Sequence, residues 1–233
     1  MLTLSRSVLC SFLFAACDSG GSGSSGDAAT GGSDAQDAVQ FAGEWGRGGW
    51  MNAGGQFGST SSLTTTLTGT TVGGTARLDG TAPSPLTGTF DGTLLTGMFR
   101  STNDHTLDLA LTGAFLVGRY QGSVDAIATF VSDAAPGAPA VNPTMLTGTW
   151  TSSKSAATGS FSMTITGSLP NPSGHITAPG LTDDDVAFAY QNRVLQGNAN
   201  ISQTSLQLFG SGTNWVGSYG KGTDIGVLVL TAP

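Results

Sequence analysis

The most constraining feature of this chain is a short alternation of apolar and polar residues that recurs from residue 41 onward. The segments Leu107–Leu111, Phe161–Ile165 and Ile225–Val229 each place an apolar side chain at every second position. Glycine-containing turn formers interrupt the alternation at roughly ten-residue intervals, which is typical of short strands. No window of helical length repeats every 3.6 residues. The pattern therefore predicts an all-β protein.

The two halves of the alternating region resemble each other. Three segments of the first half recur in the second: Phe41–Trp45 as Leu146–Trp150, Leu107–Leu109 as Leu206–Leu208, and Val117–Tyr120 as Val216–Tyr219. The last two matches share an offset of 99 residues, under which Asp125 falls on Asp224. We interpret this as an internal duplication, with copies of roughly 90 residues.

Each copy divides into eight short segments separated by turn formers, and eight antiparallel strands avoid exposed edges most simply by closing on themselves. We therefore predict two tandem antiparallel domains, each a small up-and-down barrel, at residues 41–131 and 146–233. An Ala/Pro-rich linker, residues 132–145, separates them. A two-sheet β-sandwich for each copy is the alternative. The expected strand centres are Trp45, Thr65, Ala76, Gly88, Gly97, Leu109, Gly118 and Ala128, then Trp150, Met163, Ile176, Phe188, Leu195, Leu208, Gly217 and Val227.

The N-terminus has the proportions of a secretory signal peptide: Arg6 precedes an apolar run, Val8–Ala16, that is too short to span a bilayer as a helix. The run ends in Ala15-Ala16-Cys17, which resembles the lipobox of bacterial lipoproteins. The resemblance implies cleavage after residue 16, a diacylglycerol on the Cys17 sulfur and an acylated amino terminus. It predicts a lipid anchor in the bacterial cell envelope, at the outer membrane or cell surface more than at the inner membrane.

Composition excludes several classes of function. The chain has only two cysteines, Cys10 and Cys17, so the mature protein has no intramolecular disulfide and needs an apolar core. A formal net charge of −7 disfavours nucleic acid as a partner and electrostatic attachment to anionic lipid.

Residues 17–40 are rich in Gly, Ser, Ala and Asp, and they predict a flexible tether between the lipid and the first domain.

Two short motifs in each copy resemble calycin-type barrels, the group that includes avidins and lipocalins. They are the Gly-x-Trp of Phe41–Trp45 and Leu146–Trp150, and the later segments Ala114–Tyr120 and Thr213–Tyr219. The resemblance implies up-and-down barrels in which Trp45 and Trp150 plug one end as core residues. The side chains with which avidins hold biotin have no counterparts that we can place, so biotin binding does not follow.

Candidate catalytic and metal-binding residues are few. The two histidines, His105 and His175, do not correspond between the copies, and each lies in or beside a predicted turn, so we expect both to be exposed turn residues. Asp183–Asp185 is expected to form a solvated acidic turn without the spacing of an EF-hand loop. The sequence has no Gly-x-Ser-x-Gly elbow. We therefore predict no enzymatic activity, no metal site and no cofactor.

Residues present in only one copy are better candidates for function than the shared scaffold. After the first Trp, the first copy places Arg47 and Trp50 among glycines, whereas the aligned positions of the second copy hold neither residue type. An aromatic side chain beside a cation is suited to stacking against a sugar ring or an aromatic ligand. Arg47 and Trp50 are therefore the candidate ligand-binding residues.

Together these features predict a non-enzymatic, lipid-anchored envelope protein whose tandem β domains bind a partner or serve structurally. The partner class stays open between protein, glycan and small molecule. The alternatives are a calycin-like carrier of a small apolar ligand, which needs an internal cavity, and an envelope hydrolase. A hydrolase needs a nucleophile, a base and oxyanion donors within hydrogen-bonding reach.

Overall fold

The computed structural model describes residues 41–122, 124–134, 144–191 and 194–233, and these residues form sixteen β-strands. The predictions for the signal peptide, Cys17, the tether and the central part of the linker concern residues outside these ranges. No helix in the described part of the chain is long and apolar enough to cross a membrane.

The first eight strands form a closed barrel in which each strand is antiparallel to the next and the eighth pairs back with the first. The strands are β1 (Gly43–Asn52), β2 (Phe57–Thr68), β3 (Thr71–Arg77), β4 (Ser84–Phe90), β5 (Leu94–Arg100), β6 (Asp104–Thr112), β7 (Phe115–Gln121) and β8 (Asp125–Val131).

The last eight strands form a second closed barrel with the same connectivity, and its last strand pairs with its first. The strands are β9 (Thr144–Ser152), β10 (Thr158–Thr166), β11 (Ser173–Ala178), β12 (Thr182–Gln191), β13 (Val194–Ala199), β14 (Ser205–Ser211), β15 (Asn214–Lys221) and β16 (Asp224–Thr231).

The alternation in the sequence produces these strands because one face of each closed sheet turns toward the barrel interior. In β10, for example, Phe161, Met163 and Ile165 are buried while Thr164 and Thr166 are exposed. All sixteen expected strand centres lie within strands. The prediction of two tandem barrels is confirmed, and the β-sandwich alternative is wrong.

Each barrel has two distinct ends. We call the end at which β1 or β9 begins the proximal end, and the opposite end, where β1 or β9 finishes, the distal end. The β1–β2, β3–β4, β5–β6 and β7–β8 connections lie at the distal end of the first barrel, because the strands alternate in direction. The corresponding connections of the second barrel lie at its distal end.

The two barrels lie side by side with their distal ends adjoining. Outward-facing apolar side chains of β7, β8 and β13–β16 form a buried cluster between them: Phe115, Val117, Ile127, Val131, Val194, Phe209, Val216 and Ile225. Near the distal ends, Gln207 Nε2 donates a hydrogen bond of 3.1 Å to the Gly58 carbonyl. The barrels therefore form one unit whose distal loops share one side.

The duplication is visible in the register as well as in the sequence. Gly118 in β7 and Gly217 in β15 occupy equivalent inward positions, since each pairs with a buried leucine of the preceding strand, Leu109 or Leu208. The offset of 99 residues ends in the next hairpin. Tyr120 pairs with Ala126 and Tyr219 with Gly226, so the second barrel has one additional residue between the paired positions. Asp125 therefore corresponds to Ile225, and the sequence alignment of Asp125 with Asp224 is wrong.

The two aromatic plugs expected from the Gly-x-Trp motifs lie at opposite ends. Trp45 is buried at the proximal end of the first barrel, where its Nε1 donates to the Phe41 carbonyl and to Thr65 Oγ1, each at 3.2 Å. Trp150 is buried at the distal end of the second barrel, edge-on to Tyr219 with ring centroids 6.1 Å apart. Both are core residues, but they do not occupy equivalent positions.

Candidate functional site

The structure separates the two candidate ligand-binding residues, Arg47 and Trp50. Arg47 pairs with Val131 on the outward face of β1, and its Nη2 donates to the Ser132 carbonyl at 3.4 Å. Trp50 pairs with Ala128 and packs against the interior cluster of the first barrel. Because the two side chains lie on opposite faces of the sheet, they do not form the combined stacking site that the sequence suggested.

Trp50 has a counterpart in the second barrel, although the sequence alignment of the two copies indicated none. Trp50 pairs with Ala128 of β8 and Trp150 with Leu228 of β16, at equivalent points of the two barrels. Each indole lies over a glycine of the next strand, Gly58 or Gly159, where a Cβ atom would meet the indole nitrogen at 2.5 or 2.7 Å. The sequence alignment of Trp45 with Trp150 missed this because β1 contains register shifts between Trp45 and Trp50. Ligand binding by either candidate alone stays a prediction.

The most developed polar group of the first barrel lies at its distal end. His105, expected in an exposed turn, is instead a buried residue of β6 with 7% of its surface exposed. Its Nδ1 lies 2.9 Å from Tyr120 Oη, and its Nε2 lies 2.9 Å from Ser101 Oγ. The imidazole also stacks on Phe99, with ring centroids 4.7 Å apart and an interplanar angle of 10°. Both ring nitrogens are therefore occupied, and the ring plane is fixed.

Burial sets the charge state of this histidine. Desolvation lowers the pKa of His105 below its usual value of 6.5, and the nearby carboxylate of Asp104 only partly opposes the effect. The exposed Asp104 side chain pairs instead with Arg100, with Nε and Oδ1 3.5 Å apart. His105 is therefore a neutral imidazole at neutral pH, able to accept a proton at one nitrogen while donating at the other.

The second barrel closes its distal end with a different set of groups around the equivalent tyrosine. Tyr219 is completely buried and donates to Asp224 Oδ2 at 3.0 Å, while Ser152 Oγ donates to Asp224 Oδ1 at 2.6 Å. Burial, and then the hydrogen bond and charge of Asp224, raise the pKa of the Tyr219 phenol. The carboxylate accepts from both hydroxyls, so this group is a structural cap without a free base.

The acidic run belongs to a strand and not to a turn. Asp183 and Asp185 point outward from β12 and flank His175, with Oδ1 atoms 3.2 Å from Nε2 and 2.8 Å from Nδ1. The hydrogen bond to Asp185, followed by the two negative charges, raises the pKa of His175. His175 is thus exposed, as expected, but it lies in β11 and not in a turn. His175 and Asp185 border an open groove of about 360 Å³.

The middle aspartate of the run has a separate role. Asp184 points inward, is 4% exposed, and its Oδ2 accepts from the backbone N–H groups of Ile201 and Ser202 at 2.6 and 2.7 Å. These bonds hold the β13–β14 loop and lower the pKa of Asp184. Among the described residues, no set of three His, Cys, Asp or Glu side chains is arranged to hold a metal ion.

Sequence reasoning missed the group around His105, although one signal pointed to it. The alternation of Leu107, Leu109 and Leu111 continues backward to His105, so the period-two pattern places the imidazole on the inward face. The neighbouring residues Asn103 and Asp104 favour a turn, and for this reason the sequence indicated an exposed turn at His105. The contacts with Ser101 and Tyr120 depend on the pairing of three strands, for which the sequence carries no comparable signal.

No protein-family model matches the sequence, and a search of curated proteins gives no significant match.

Proposed function

We propose that this protein is a lipid-anchored protein of the bacterial cell envelope, whose twin-barrel unit presents its distal loops to a partner. One observation carries the proposal: the chain enters the first barrel from Phe41 at the proximal end, whereas the exposed side chains of Phe57 and Ile201 lie at the distal end. An anchor on the segment before Phe41 therefore joins the folded unit at the end opposite those loops. For the roughly 23 tether residues, the root-mean-square reach is about 25 to 30 Å.

The β13–β14 loop has the properties of a protein contact. The Ile201 side chain is 86% exposed, whereas the loop backbone is held by Asp184. Ser202 Oγ adds contacts with Thr182 Oγ1 at 2.6 Å and Thr204 Oγ1 at 3.1 Å. A rigid loop loses little conformational entropy on binding, and an apolar side chain at its tip can fill a pocket of a partner. These contacts support a protein partner with an apolar pocket.

The packing of the interiors favours presentation over the transport of an apolar ligand. In each barrel the inward side chains form a connected cluster of buried residues that runs from the proximal to the distal end. A barrel of eight strands is just wide enough for side chains to fill it, and a carrier needs a cavity of several hundred Å³. The clusters therefore support a scaffold role for the barrels.

The lipid anchor is tested by metabolic labelling with a clickable fatty acid. The wild-type protein is expected to take up the label and to sediment with membranes, because Cys17 is the acylation site. Cys17→Ala is expected to stay unlabelled and unprocessed. Equal labelling of the two proteins contradicts the anchor.

The distal surface is tested by placing a photo-crosslinking amino acid at Ile201 in living cells. Leu169 is the matched control, since it is an exposed apolar residue of the proximal β10–β11 loop, 39% exposed. We expect a discrete crosslinked adduct from position 201, absent from position 169 and lost in the Cys17→Ala background. Adducts of equal yield from both positions, or none from position 201, count against distal presentation.

A further inference from the structure

The distal loop between β5 and β6 brings an exposed hydroxyl to a buried imidazole. Ser101 lies in this loop with an exposed side chain, and its Oγ is 2.9 Å from Nε2 of His105. On the other side of the ring, Nδ1 is 2.9 Å from the Tyr120 hydroxyl of β7. The order along the network is therefore hydroxyl, imidazole, hydroxyl, and only the first hydroxyl belongs to an exposed residue.

One tautomer of His105 makes this order chemically directional. If Nδ1–H donates to Tyr120 Oη, then Nε2 carries the lone pair and accepts the proton of Ser101 Oγ. Stacking on Phe99 holds the ring in the plane that both bonds require. A nucleophile hydrogen-bonded to a base, with the base oriented by a third group, is the general arrangement of an activated hydroxyl.

We propose that Ser101 is a base-activated nucleophile that attacks small neutral esters, with His105 as its general base and Tyr120 as the residue that orients the base. This activity goes beyond the presentation role of the distal loops. Ser101 and His105 would touch the reacting atoms, whereas Tyr120 acts through His105 as a positioning residue. The Arg100 and Asp104 side chains beside the site pair with each other, so this pair contributes no net charge that would select a charged substrate.

The reaction balances without a further reactant other than water. Ser101 Oγ bonds to the acyl carbon while its proton passes to His105 Nε2, and the bond from the acyl carbon to the alcohol oxygen then breaks. The proton on Nε2 goes to the leaving alkoxide. Water next attacks the acyl-serine ester and gives a proton to Nε2, which returns it to Ser101 Oγ as the carboxylic acid leaves.

The second barrel provides a matched serine without an imidazole. Ser202 lies in the β13–β14 loop, which corresponds to the β5–β6 loop, and Thr204 takes the place of His105. The Ser202 hydroxyl contacts the hydroxyls of Thr182 and Thr204, neither of which is a base at neutral pH. The lowered pKa of the adjacent Asp184 makes its carboxylate a weak base. If loop position alone made a serine reactive, Ser202 would react as readily as Ser101.

The test uses the full-length mature protein and a fluorophosphonate probe, in which serine displaces fluoride from phosphorus. We expect labelling at Ser101, located by peptide mass spectrometry, and its loss in Ser101→Ala but not in Ser202→Ala. His105→Gln is expected to slow labelling by about 100-fold or more, the usual contribution of a general base. Because Ser101 is exposed, Ser101→Ala is expected to melt as the wild type does.

Hydrolysis of p-nitrophenyl acetate provides the second readout. The rate is expected to rise with pH as His105 loses its proton and then to level off, and Tyr120→Phe is expected to move the midpoint of that rise. A purely structural role for Tyr120 would leave the midpoint unchanged. Folded wild-type protein that resists the probe, or a label that persists in Ser101→Ala, overturns the proposal.

Discussion

At the scale of single residues, the two equivalent tyrosines show that the same position in the two barrels acquires different chemistry, depending on the side chain that the tyrosine contacts. Tyr120 meets an imidazole, and Tyr219 meets a carboxylate that also accepts from Ser152. Each carboxylate oxygen of Asp224 accepts from one hydroxyl, whereas the imidazole of His105 has a nitrogen that can exchange protons. The difference predicts that acid affects the two barrels in different ways.

Acid is expected to destabilise the first barrel through His105. Its pKa is lowered in the folded state, so between that value and the unfolded value of 6.5 the unfolded chain binds more protons. The neutral ring makes its full contribution to the free energy of unfolding above pH 6.5, and this contribution declines as the pH falls below that value. Chemical denaturation at several pH values in this range is expected to show that the free energy of unfolding changes less with pH in His105→Gln than in the wild type.

His175 provides a control of opposite sign. Its pKa is raised by Asp185 and Asp183, so its contribution is present below pH 6.5 and is lost as the pH rises through the folded value. His175→Gln is therefore expected to change the pH dependence of the free energy of unfolding in the opposite direction. Identical pH profiles for the wild type and His105→Gln would contradict the buried, neutral histidine.

At the scale of strands, the shared Val-Gly-x-Tyr motif is explained by close approach between neighbouring backbones. A Cβ atom on Gly118 would collide with the Asp108 carbonyl of β6, and one on Gly217 with the Gln207 carbonyl of β14. Neither glycine has a positive φ, so the requirement is one of space and not of backbone conformation. Glycine at the centre of β7 and β15 therefore permits the tight coiling of a small barrel.

Adding one methyl group tests this explanation. We expect Gly118→Ala and Gly217→Ala each to lower the free energy of unfolding by about 1 to 3 kcal/mol, the range for overpacking against a rigid neighbour. Gly73→Ala in β3 is the control, because its Cβ would approach only the flexible Thr66 side chain, at 3.2 Å. Thermal melts should separate the two classes, and equal effects at all three positions would refute the steric explanation.

At the scale of the whole molecule, the sequence predicted the features that burial and duplication dictate. Period-two alternation placed all sixteen strands, and the turn spacing predicted closure into two barrels. It did not predict that the barrels pack together, because Val117 and Val216 read as ordinary strand residues until closure turns them outward. The site around His105 was missed for a similar reason, since it is assembled from β5, β6, β7 and a loop.

The contact between the barrels is expected to contribute to stability. Phe209 is 1% exposed in the cluster between them, so Phe209→Ala leaves a cavity and is expected to cost about 3 to 5 kcal/mol. Ile201→Ala, at an 86% exposed position, is expected to change stability by no more than about 0.5 kcal/mol. Differential scanning calorimetry provides the measurement. A Phe209→Ala protein that melts like the wild type would show that the interface is energetically unimportant.

The even number of strands in each barrel has a consequence for how such a protein can grow. Phe41 lies where the first barrel starts, and Ala232, which donates to the Thr213 carbonyl, lies at the same proximal side of the second. The segment that leaves a barrel does so at the end where the chain entered, so a connection to another barrel need not cross the distal hairpins. Gene duplication can therefore lengthen the row while every earlier hairpin remains uncovered.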